Sequence, residues 1–277
     1  MRVGIHVSIS GGLSKAVDRA KARGCETIQI FARTPRAWKA KPWDPEDVEA
    51  FKAGRTKEDI RPVVIHTCYL LNLATPKPDL RSKSLDALAD DLKRAEMGGI
   101  EYVVTHPGSG ADSDAIGRVR ELCLEALDGI KGVQLLIENV AGGGDKVGGS
   151  FEELAEMVDG TEMGVCLDTC HALAAGYPIH ESPGEVLDNF EETVGLDRLK
   201  VLHLNDSVGA LGSHVDRHEH IGRGEIGMEG FRRILSDPRI RRLPGILETP
   251  QRATDDPSDD IRNISTIRQI LGSVGAP

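Results

Sequence analysis

Six apolar runs each carry a histidine or carboxylate at or near the end: PVVIHT places His66, YVVTHP His106, QLLIEN Glu138, MGVCLDT Asp168, LKVLHLND His203 and PGILETP Glu248. Imidazole and carboxylate are the donors that hold divalent cations. A parallel strand covered on both faces should be uniformly apolar, so such a group at its end costs desolvation energy unless something compensates. A cluster of cations would compensate. Nine His and 44 Asp plus Glu make up about a fifth of the 277 residues, too few for six successive strand ends to be coincidence. Helix capping or mutual hydrogen bonding explains any single member more readily than the set.

Two further fragments extend the pattern. In DTCH, His171 follows Asp168 by three residues, close enough for the two to serve adjacent ions while pointing differently. In VDRH, Asp216 and His218 are two apart, so in an extended segment they share a face and can grip one ion. Nine donors exceed what one four- or five-coordinate ion can use, which implies at least two ions and points to three. Imidazole favours zinc, and the carboxylates admit manganese or iron. Such a site suits phosphoryl hydrolysis: one pair of ions can generate and hold a hydroxide while another stabilises the departing oxygen.

The elements that must position these donors alternate regularly. Strands are expected at 3–8, 27–32, 62–67, 102–107, 134–139, 163–169, 199–206 and 244–250. Between them lie amphipathic stretches such as GLSKAVDRAKARG, LRSKSLDALADDLKRAEMGG, SFEELAEMVDG and MEGFRRILSD, several ending near glycines suited to a left-handed cap. Eight such units close into a single-domain (β/α)8 TIM barrel over residues 1–277, whose chemistry sits at the carboxyl ends of the strands. The tail is read as a charged turn and a last helix, with GAP frayed.

The longest connections follow strands two and seven, and long loops on that face usually carry function. The first, FARTPRAWKAKPW, combines Arg33, Arg36, Lys39 and Lys41 with Trp38 and Trp43, as a DNA-facing loop would. Tyr69, just past His66, should project over the same mouth. His6 reads either as support for the donors or as a hydrogen-bonded core residue, whereas His180, His214 and His220 are expected to face solvent or substrate.

With 39% hydrophobic and 28% charged residues the composition is that of a globular domain, without an apolar run near the roughly 20 residues of a membrane span. RVGIHVS after Met1 reads as a strand rather than a signal peptide, so a cytoplasmic protein is expected. Five cysteines without a CxxC pair read as free, buried thiols. A net charge of −10 argues against a nucleic-acid partner, but three divalent ions would offset more than half of it at the mouth of the site. No GxSxG or phosphate loop of the GxxxxGKS type is present, and GRGEIG after strand seven does not match a dinucleotide fingerprint.

The motifs GVCLDTCHALAAGY, LHLNDSVGALGSHVDRHEHIG, ILET, IEN followed by AG, and HVSISGG resemble those of the endonuclease IV family of apurinic/apyrimidinic endonucleases, over about residues 3–250. The resemblance implies a TIM barrel with three zincs that cuts the phosphodiester 5′ to an abasic nucleotide in duplex DNA. The products are a 3′-hydroxyl and a 5′-deoxyribose phosphate, and the family also trims blocked 3′ ends. It implies that His66, His106 and Glu138 hold one zinc, and that Glu138 bridges to a second held by Asp168, His203 and Glu248. His171, Asp216 and His218 would hold the third. Glu248 and the bridging Glu138 become the catalytic carboxylates, Arg36 and Tyr69 the residues that enter bent DNA, and the working form a monomer without a nucleotide cofactor. One departure stands out: the family usually reads AGQG where this chain has AGGG, so Gly143 lacks an amide and the glycine-rich segment is expected to be more mobile. The competing enzyme is a metal-dependent sugar isomerase or epimerase on a similar barrel, which has no use for a third site or a DNA-wedging loop.

Overall fold

The computed structural model describes residues 1–250 and 256–274, so the expected turn over 251–255 and the frayed end at 275–277 lie outside the described residues. Within them, eight parallel strands close a barrel in the order β1-β10-β7-β6-β5-β4-β3-β2. The strands are β1 (Val3–His6), β2 (Thr27–Phe31), β3 (Val63–His66), β4 (Tyr102–Thr105), β5 (Gln134–Glu138), β6 (Gly164–Asp168), β7 (Leu199–His203) and β10 (Gly245–Leu247). All eight fall inside the segments expected from the apolar runs. Two short antiparallel strands, β8 (Asp206–Ser207) and β9 (His218–Glu219), form a separate hairpin in the connection after β7.

The helices α1 (Lys15–Arg23), α2 (Pro45–Lys57), α3 (Pro78–Gly98), α4 (Ala115–Leu127), α5 (Phe151–Val158), α6 (Thr169–Ala175), α7 (Pro183–Thr193), α8 (Gly227–Ser236) and α9 (Ser258–Val274) lie between and after the strands. Their ends follow local chemistry. Ser150 and Glu153 make a reciprocal capping box at the start of α5, and Gly24 and Gly99 close α1 and α3 in the left-handed conformation. Where β1 meets β2, a Cβ on Gly4 would lie 1.6 Å from the Thr27 carbonyl oxygen, so only glycine lets the two strands approach.

The barrel interior explains where the donors sit. Val64, Val104, Leu136, Cys166, Val201 and Ile246 form one inward cluster, fully buried and contributed by six strands. Side chains alternate across a strand, so the next inward residue on each strand lies two positions on. Those residues are His66, His106, Glu138, Asp168, His203 and Glu248. The apolar layer is thus the floor of the site, and the six donors are its ceiling at the carboxyl ends. His106 and Glu248 fall one residue past β4 and β10, where the backbone still follows the strand's course.

Candidate metal centre

Glu138 is the hub. It is fully buried, and its two oxygens lie 3.0 Å from His66 Nε2, 3.2 Å from His106 Nε2, 3.0 Å from His203 Nδ1 and 3.3 Å from His171 Nδ1. Three groups of donor atoms converge, each within 4.8 Å of one another: His66 with His106 and Glu138; Glu138 with Asp168, His203 and Glu248; and Asp168 with His171 and His218. Asp216 stands just outside the last group, with Oδ1 3.0 Å from His171 Nε2 and a side chain 40% exposed.

The opposite nitrogens decide what this arrangement can do. His66 Nδ1 meets the Thr67 carbonyl at 2.8 Å, His171 Nδ1 the Asn139 carbonyl at 2.9 Å, and His218 Nδ1 the Glu248 carbonyl at 3.1 Å. A carbonyl oxygen only accepts, so those nitrogens carry the proton. Each neutral ring must then aim a lone pair at a carboxylate: His66 at Glu138, His171 at Asp216, and His218 at Asp168 from 3.6 Å. His218 Nε2 is buried without a hydrogen-bond partner. Lone pairs facing carboxylates repel unless a positive charge stands between them. A divalent cation supplies that charge, and a carbonyl on the far nitrogen is the usual way such a ligand is oriented.

Protons are the other source of positive charge, and the titration behaviour reflects this. Burial alone would lower His66, but its hydrogen bond to Glu138 and that carboxylate's charge raise it. Burial likewise opposes protonation of His171 and His203, but Asp168 and Asp216 for the first, and Cys166 followed by Glu248 and Glu138 for the second, overturn it and push both well up. Burial would raise the two glutamates, yet His203 and its neighbours hold Glu138 well below the carboxylate range and Glu248 down to about 2. His6 goes the other way, to about 4, because burial outweighs the charge of Glu248.

Backbone and amide contacts lock the ligands. Asp168 caps α6 by accepting from the His171 N–H at 2.9 Å, which places His171 in that helix's first turn. Asn205 Nδ2 donates to Asp168 Oδ2 at 2.6 Å while its Oδ1 accepts from the Glu248 N–H at 2.7 Å, coupling β6, β7 and β10. Asp206 is fully buried and accepts from the N–H groups of Gly222, Gly224 and Ile226 at 2.8, 3.0 and 2.9 Å. It thereby gathers the loop that carries Asp216 and His218. Sequence reasoning did not single out Gln29, Asn205 or Asp206. The first had a signal, an amide on an inward position of TIQIF; the other two follow His203 closely but announce no contact.

A cavity of about 520 Å³ opens above the donors, with His66, His106, His171, Asp216, His218 and Glu248 in its walls. Tyr69, 64% exposed, stands at its rim against Phe31, with ring centroids 5.4 Å apart. The Tyr69 N–H donates to the Pro35 carbonyl at 3.1 Å, which brings the exposed Arg36 beside it.

Other parts of the loop after β2 differ from expectation. Arg33 is buried, its guanidinium 2.8 Å from Asp91 and 2.9 Å from Asp90 on α3, so it anchors the loop instead of meeting DNA. Trp38 and Trp43 pack against the core, and Arg94 lies 5.4 Å over the Trp43 ring. Only Arg36, Lys39 and Lys41 of the loop's basic residues face outward. His220, expected to face solvent or substrate, is buried with Nδ1 3.0 Å from Asn263 Nδ2. The glycine-rich segment expected to be mobile is hydrogen-bonded along its length, with Val140 N–H on the Gly148 carbonyl and Val147 N–H on that of Gly108. His214 Nδ1 meets the Ala141 carbonyl at 2.8 Å. A Cβ at Gly143, whose φ is 84°, would lie 2.9 Å from His214 Cβ, so this chain's His214 occupies the space beside the residue that departs from AGQG.

Comparison with known proteins places this geometry. Residues 17–269 match a family described as xylose isomerase-like TIM barrel. The chain is 49% identical over 276 residues to endonuclease 4 of Thermus thermophilus, covering 98% of each. It is similar in structure to a crystal structure of endonuclease IV from Thermus thermophilus, with a TM-score of 0.91, 48% identity, and coverage of 99% and 100%. A D-tagatose 3-epimerase-like protein shares the fold alone, at a TM-score of 0.72 and 18% identity over 99% of this chain and 98% of that one.

Proposed function

Because the chain belongs to the endonuclease IV family of xylose isomerase-like TIM barrels, we propose that it is a DNA-repair endonuclease acting on abasic sites in duplex DNA. It hydrolyses the phosphodiester 5′ to the lesion, leaves 3′-hydroxyl and 5′-deoxyribose phosphate ends, and trims blocked 3′ ends. The carrying observation is the set of imidazole lone pairs aimed at carboxylates, two of them (Glu138 and Asp168) fully buried, which a metal-free role leaves without purpose.

The donors fit three cations. His66, His106 and Glu138 would hold one; Glu138, Asp168, His203 and Glu248 a second; His171, His218 and Asp216 a third, with Asp168 close to the last pair. Five imidazoles among nine donors favour zinc, and the carboxylates admit manganese or iron. Zinc, when bound, lowers the pKa of a coordinated water towards about 7 and draws charge from the reacting oxygens.

The chain's own groups supply the rest. Glu138 and Asp168 are fully buried, whereas Glu248 is 18% exposed and lines the cavity, so Glu248 can reach the attacking water. Held at about 2, it stays ionised at neutral pH and acts by orienting the water's O–H. Arg36 meets phosphate, and the Tyr69 ring fills the gap left by the missing base. The working form is taken as a cytoplasmic monomer without a nucleotide cofactor. None of the described helices is long and apolar enough to cross a membrane.

The test is a duplex carrying one tetrahydrofuran abasic analogue. Incision 5′ to the analogue with a polymerase-extendable end is expected; an intact duplex, with epimerisation of a ketose, returns the sugar-isomerase reading. Glu248→Gln should slow incision by about 10²- to 10⁴-fold while leaving abasic-duplex affinity largely unchanged.

A further inference from the structure

Gln29 is not one of the nine donors, yet it touches two of them. It is fully buried, and its register with Val64 puts it on an inward position of β2. Its Oε1 lies 2.9 Å from His203 Nε2, and its Nε2 lies 2.5 Å from Glu248 Oε1 and 3.2 Å from His6 Nδ1. Chemistry fixes which end is which. A reversed amide would press its carbonyl oxygen against the Glu248 carboxylate.

With Oε1 as acceptor, His203 must carry its proton on Nε2, and its Nδ1 lone pair faces Glu138, Asp168 and Glu248 at 3.0, 3.9 and 3.4 Å. With Nε2 as donor, one oxygen of Glu248 is held and the other is left for the cluster. We infer that Gln29 is a positioning residue that sets the tautomer of His203 and the carboxylate orientation of Glu248, so that both present to the same cation. The inference rests on the metal-dependent reading above. Only a carboxamide performs both tasks. Glutamate could accept from His203 but would oppose Glu248, and leucine would leave both partners unmet.

The experiment loads wild type, Gln29→Leu and Gln29→Glu with zinc and competes the metal away with chelators of graded strength. One site should lose about 10- to 100-fold in affinity in both variants while the others hold, the effect expected when a ligand's orienting partner is removed. Folded variants that retain wild-type affinity at every site overturn the inference. Long-range ¹H–¹⁵N spectra of the zinc-loaded wild type give a reading that does not depend on the variants folding. Coordination of His203 through Nδ1 with a protonated Nε2 is expected, and coordination through Nε2 overturns it. Neither readout uses DNA, so failure of the endonuclease reading would appear in incision while these results stood.

Discussion

Each of four imidazoles at the rim commits one nitrogen to a carbonyl, three to backbone and His203 to Gln29, and turns the other to a carboxylate. Positive charge must come from cations or from protons. In protein stripped of metal, His66, His171 and His203 hold protons more tightly than an unfolded histidine, against the cost of burial, because of the carboxylates they face and, for His203, Cys166 as well. The sign follows from linkage. A histidine pKa raised on folding stabilises fully below its unfolded value of about 6.5, and that stability is lost as pH climbs through the raised value. Stripped protein should therefore melt progressively lower above about pH 6.5, while metal-loaded protein should not, since cations replace the protons. Thermal melts with and without chelator between about pH 6 and 9 check this; parallel profiles would contradict it.

The hairpin after β7 depends on a single element-scale device, the buried Asp206 carboxylate collecting the N–H groups of Gly222, Gly224 and Ile226. Each hydrogen bond to a charged group contributes about 1.5–3 kcal/mol. Asp206→Ala should loosen the connection, raise amide exchange over residues 208–226, and cost the protein the cation near His171 and His218 while the other two are retained. Elemental analysis reads the loss. The eight strands were legible because a buried parallel strand is nearly all apolar, and the six rim donors because their types contradict that rule. Period-two alternation carried one strand further would also have found Gln29. Asp206 and Asn205 were not legible, because their partners lie many residues away and nothing local marks a carboxylate as caged. Arg33, Trp38 and Trp43 were misread for the reverse reason: composition alone cannot say whether a cation faces phosphate or the acidic pair Asp90 and Asp91 beneath it.

At the scale of the whole molecule, a chain of net charge −10 must approach a polyanion. The three divalent cations proposed for the mouth would, with the exposed Arg36, Lys39 and Lys41 outside it, concentrate positive charge on one face. The barrel supplies the rigid ring that holds the six rim donors, since each of these sits two residues above a fully buried floor residue in the course of its own strand. Sugar epimerase-like barrels share that ring, so fold alone does not choose the substrate. In the proposed reading, that choice falls to the additional Asp216–His218 hairpin and the Arg36–Tyr69 rim. The most direct test combines elemental analysis of the purified protein with incision of the tetrahydrofuran duplex, before and after stripping by chelator. About three divalent cations per chain, with incision lost on stripping and restored on reloading, is the predicted result. Incision that persists in protein containing no metal would contradict the account at its centre.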